Sequence, residues 1–178
     1  MAATFEWDES NGAGQTITHG VTSVNWKNAD TATGGTDYQS NPITAGNNSF
    51  EKWQFGHFSG TYNQISAGLF AHTAGTLGTG LTLKGPPTMT SDTTDLAYTT
   101  PSTTANTNLT NDMTSVIAIG SGVAVWFGAT SPTAASKAAS TTSNPAYTNY
   151  LTTQLQTTGS AGAGDTATVT LTLRYDEN

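Results

Sequence analysis

The chain reads as an all-β protein, a two-sheet antiparallel sandwich, and three observations carry that reading. Charged residues make up only 10% of its 178 positions, against about 25% in ordinary soluble domains. Threonine takes their place with 37 copies; its β-branched side chain suits a pleated, half-buried surface and stays hydrated without charge. The third observation is the final segment, 166–175, in which Ala167, Val169, Leu171, Leu173 and Tyr175 alternate with polar residues. A period of two puts those five on a core face and Thr166, Thr168, Thr170 and Thr172 on a solvated or contact face.

From the N-terminus, residues 1–11 form a candidate arm with Phe5 and Trp7 as apolar anchors. Strands are expected at 16–26, 49–58, 62–73, 79–84, 114–119 and 123–127, where aromatic and β-branched residues lie between Gly, Pro and Asn punctuation. The run Phe50, Trp53, Phe55, Phe58, Ile65, Leu69 and Phe70 is the densest apolar stretch, and a turn at Gly60 and Thr61 makes it a hairpin at the heart of the core. Residues 86–111 are rich in Thr, Ser, Asn and Pro, apart from Met89, Leu96, Tyr98 and Leu109. A loop of that length is expected to cross the surface and contact a partner. The polar stretch 130–148 holds a short helix candidate at 134–139. Residues 150–158 and 167–175, joined by the glycine loop 159–164, are expected to pair as a second hairpin.

Eight or so short strands without helical crossovers favour a sandwich over a parallel sheet. Jelly roll is the favoured topology, with an immunoglobulin-like sandwich as the alternative. The length suits one domain, 1–178.

Composition also narrows function. The net charge is −7, and the five cations, Lys27, Lys52, Lys84, Lys137 and Arg174, are scattered. Neutralising nucleic-acid phosphates takes clustered Lys and Arg, so no nucleic-acid partner is expected. No apolar run reaches the ~20 residues of a membrane span, and no membrane contact is expected. The absence of cysteine removes disulfides, zinc–thiolate sites and thiol nucleophiles. Residues 1–11 have neither a basic start nor an apolar stretch, so no secretory signal is expected.

Candidate chemistry is sparse. His57 and His72 fall on strands expected to be adjacent, where they could meet in a metal or acid–base site. None of the spacings HxH, HxxxH or HExxH occurs, so both are read as strand histidines satisfied by neighbours, and no metal or other cofactor is expected. The acids Glu6, Asp8 and Glu9, Asp92 and Asp95, and Asp176 and Glu177 are read as solvated, because no calcium-loop pattern joins them. A glycosidase needs only two carboxylates that meet in space, but no spacing favours a pair. There is no Gly-x-Ser-x-Gly elbow, and the glycines at 75–80 and 120–122 read as turns. No catalytic residue is expected, so the chain is read as non-enzymatic. Trp53 and Trp126 sit within apolar strands and are assigned to the core, whereas Trp7 and Trp26 have polar neighbours and could form a sugar-stacking platform.

The stretch 47–65, NNSFEKWQFGHFSGTYNQI, and the ending 170–177, TLTLRYDE, resemble segments of tailed-bacteriophage virion proteins, nearest to capsid accessory proteins. The resemblance implies a decoration (cement) protein that clasps major capsid subunits on the outer face of the head, often as a homotrimer. Such a protein would be made in the host cytoplasm. Contacts are then expected at Phe5, Trp7, Met89, Leu96, Tyr98, Leu109, Thr168 and Thr170. A tail or adhesion module binding host glycans is the alternative.

Overall fold

The computed structural model describes residues 2–32, 37–88, 103–105, 109–130, 132, 137–162 and 168–178. The strands described are β1 (Ala3–Asn11), β2 (Thr16–Thr18), β3 (Trp53–Gly60), β4 (Ile65–Ala74), β5 (Leu81–Gly85) and β6 (Asn111–Asp112). They continue with β7 (Val123–Val125), β8 (Phe127–Gly128), β9 (Ser140–Thr141), β10 (Ala146–Thr148), β11 (Gln154–Thr157) and β12 (Thr170–Glu177). The helix α1 (Asp37–Ser40) and a 3-10 turn (Ile119–Ser121) are short interruptions. The protein is all-β, and its described strand pairs are antiparallel. None of the described helices is long and apolar enough to cross a membrane.

The sheet β2-β1-β3-β10-β8 packs against the sheet β12-β4-β7, with a third, β11-β5-β6, beside them. The core between them holds Phe58, Ile65, Phe70, Leu83, Val125 and Phe127, with Phe5, Trp7, Leu173 and Tyr175 packed against it. Phe58 sits at its centre, T-shaped to Tyr175 at 4.7 Å and to Phe127 at 5.8 Å, and 5.2 Å from Phe5. Trp53, Phe55 and Tyr150 form a smaller cluster. Val169, Leu171, Leu173 and Tyr175 all pack on the core, as the period of two predicts.

Pairing departs from the local reading in four places. Residues 1–11 are not a free arm: β1 pairs with β3 from Ala3↔Gly60 to Ser10↔Trp53. β3 and β4 are not a hairpin but belong to different sheets, so the chain crosses the core at Gly60, where φ is 88°. β11 pairs with β5 and β12 with β4, so the glycine loop joins two sheets. Within 16–26 only β2 is a strand, and 114–119 is irregular. In the first three cases the alternation is satisfied by a distant partner, which local periodicity does not name. The helix candidate at 134–139 and most of 86–111 fall outside the described residues.

β4 carries a bulge. Ser66 pairs with Asp176 and Leu69 with Arg174, so Ala67 and Gly68 oppose Tyr175 alone. Ala67 takes φ 52° there, in the left-handed region that disfavours a Cβ, and it is exposed. Ala67→Gly is therefore expected to stabilise the fold by about 0.5–1 kcal/mol after the flexibility of glycine in the unfolded chain is subtracted. Urea denaturation reads this as a higher midpoint at unchanged slope; a lower midpoint refutes it.

Candidate functional site

Four ionisable side chains converge at one edge of the five-stranded sheet. Glu6 and Asp8 are two apart on β1 and so share a face. His57 stands opposite Glu6 on β3. On the other side β2 pairs with β1 through Glu9↔Thr18, which brings the next residue, His19, level with Asp8.

The contacts are close. His57 Nδ1 lies 2.8 Å from Glu6 Oε1 and 3.5 Å from Asp8 Oδ2, and His19 Nδ1 lies 2.8 Å from that same Oδ2. One potential ligand atom from each residue lies within 4.8 Å of all the others. The Asp8 side chain is fully buried, and its second oxygen, Oδ1, accepts the Gly20 N–H at 3.2 Å. The His57 ring stacks on Tyr147 at 4.7 Å, with 16° between planes. Burial, reinforced by the negative charges of Asp8 and Glu6, pushes the Tyr147 phenol above its ordinary pKa. His19 is 64% exposed and Glu6 41%, so the cluster opens to solvent on their side.

This arrangement corrects two expectations. His57 meets His19, not His72, which belongs to the opposite sheet with its ring nitrogens 2.8 Å from the carbonyl oxygens of Met113 and Ala74. Among the acids read as solvated, Asp8 and Glu9 are fully buried. Glu9, on the other face of β1, accepts from Lys52 Nζ at 3.1 Å. The signal available in the sequence was Glu6-x-Asp8 at strand spacing; its histidine partners depend on the pairing of β1 with β2 and β3.

Cations are also used internally. Lys27, Lys52 and Lys137 are buried, and their ammonium groups donate to the carbonyls of Ala32 (2.9 Å), Thr31 (2.8 Å) and Thr130 (2.9 Å). Lys27 also pairs with Asp37. Burial, and then the charge of Lys52, lowers the pKa of Lys27, against the opposing pull of Glu9 and Asp30.

The residues expected at partner contacts divide three ways. Thr168 and Thr170 are exposed at the start of β12. Phe5 and Trp7 are half-buried and pack on the core, and Leu109 is 3% exposed, so these three serve the interior of the chain rather than an arm. Met89, Leu96 and Tyr98 lie outside the described residues.

Of the tryptophans, Trp53 is buried as expected, while Trp126 is half-buried. Trp7 and Trp26 are half-buried and line a cavity of about 930 Å³ together with Leu77, Leu155, Val169 and Leu171. Trp26 Nε1 donates to Thr153 Oγ1 at 3.1 Å, which fixes its ring.

No protein-family model, curated protein or solved structure matches this chain.

Proposed function

We propose that the chain is a non-enzymatic structural protein of a tailed-bacteriophage virion, which decorates the outer capsid surface and clasps major capsid subunits as a homo-oligomer. The observation that carries the reading is the character of β12. Among the described strands it pairs only with β4, so its other edge offers unpaired backbone N–H and C=O groups. Thr168 and Thr170 are exposed beside that edge, and Thr172 hydrogen-bonds to Thr73 across the pair at 2.6 Å. Hydroxyl-bearing side chains keep such an edge soluble yet cost less to desolvate against a neighbouring subunit than charges do. An assembly protein gains from both properties, since it must exist free before it is buried.

The test is the double variant Thr168→Lys and Thr170→Lys. Because both side chains are exposed, folding stability should stay within about 0.5 kcal/mol of the parent. Virion association should weaken by at least about tenfold, the consequence of burying two unpaired ammonium groups. Unchanged association in a co-sedimentation assay, or cryo-electron microscopy of the virion with no density for the chain on the head, removes the proposal.

A second reading, a tail or adhesion module that binds host glycans, draws support from the two tryptophans in the cavity. Quenching of tryptophan fluorescence by a glycan, lost in Trp26→Ala, would favour it over the capsid role.

A further inference from the structure

We propose that Glu6, Asp8, His19 and His57 form a binding site for a divalent transition-metal ion of the zinc class, which pins β1, β3 and the segment after β2 together. The donor set is two imidazole nitrogens and two carboxylate oxygens. That mixture suits zinc and its neighbours, whereas calcium and magnesium favour all-oxygen shells. Two carboxylates and two neutral imidazoles also balance a 2+ charge.

The dimensions agree. With metal–ligand bonds of about 2.0–2.2 Å, the ligand atoms of a tetrahedral site stand roughly 3.4 Å apart. Here three of the pairs are at 2.8, 2.8 and 3.5 Å, and all four atoms fall within 4.8 Å. The short pairs open and the long ones close by rotation of Glu6 and His19, the two exposed side chains.

Supporting contacts fit the same purpose. Gly20 N–H occupies Asp8 Oδ1, leaving Oδ2, on which both imidazoles converge, as the single coordinating atom. Such an outer hydrogen bond fixes the direction of a metal ligand. Stacking on Tyr147 fixes the plane of His57. Four protein ligands without a reserved open position describe a structural site rather than a catalytic one. In a chain with no cysteine, such an ion would serve as the cross-link that disulfides provide elsewhere.

The experiment uses the full chain, free of any affinity tag and stripped with a chelator, titrated with zinc chloride by calorimetry and with Co²⁺ by visible absorption. One equivalent should bind, the Co²⁺ form should show the intense visible bands of tetrahedral coordination, and zinc at 100-fold over Kd should raise the unfolding midpoint by roughly 5 °C or more. His19→Ala and Glu6→Gln, both at exposed positions, should each weaken binding by at least about tenfold while the metal-free circular dichroism stays that of the parent. No binding overturns the proposal, and so does binding that both variants leave unchanged. The first of these would reduce the cluster to imidazole–carboxylate hydrogen bonds.

Discussion

Glu9→Ala is expected to destabilise the fold by about 3–5 kcal/mol, the cost of leaving a buried charge without its partner. Glu9 and Lys52 are 0% and 1% exposed, and the Lys52 ammonium lies 3.1 Å from Glu9 Oε1. Lys52 also donates to Thr31 O, and Lys27 stands close enough for the charge of Lys52 to depress its pKa. Removing Glu9 therefore strands one ammonium group and leaves a second facing it with less compensation. The double variant Glu9→Met with Lys52→Met should be far less damaging than Glu9→Ala, because both charges of the pair then leave together and neither stays behind without the other. Urea denaturation of the three proteins is the measurement. A loss below 1 kcal/mol for Glu9→Ala would show that water reaches the pair.

Phe58→Ala should cost a similar amount, about 3–5 kcal/mol, by a different mechanism. Phe58 is 0% exposed and meets Phe5, Phe127 and Tyr175, which belong to three other strands of the two facing sheets. Truncation removes apolar burial and leaves a cavity that rings held by three strands cannot collapse to fill. For a chain of this size the loss corresponds to a fall in the thermal midpoint of roughly 6–20 °C. Thermal unfolding followed by circular dichroism measures it, and a shift of less than 2 °C would mean that Phe58 is not central to the core.

The candidate metal site shows how local patterns and chain topology share the information. Glu6 and Asp8 two apart could be read from the sequence, but residues 1–11 read as a candidate arm anchored by Phe5 and Trp7, not as a strand. They are strand residues because β3 and β2 flank them, and they are buried where their charges find partners: Asp8 against His19, and Glu9 against Lys52. The burial of Lys27, Lys52 and Lys137 is hidden from local sequence for the same reason. A lysine in a polar stretch gives no sign that its ammonium group folds back onto a carbonyl, as Lys137 does onto Thr130 O.

By itself the sequence determined the all-β class, the inward face of β12 and core positions such as Trp53, Phe58, Ile65 and Phe70, because a strand's side-chain period is local and hydrophobic burial follows it. Only the tertiary structure decided which strands are neighbours. It separated β3 from β4, made β1 an internal strand, and brought His19 and His57 to one pair of carboxylates. The physical reason is that an apolar alternation can be buried by many partners, and the choice among them is settled by packing and hydrogen bonding summed over the whole chain.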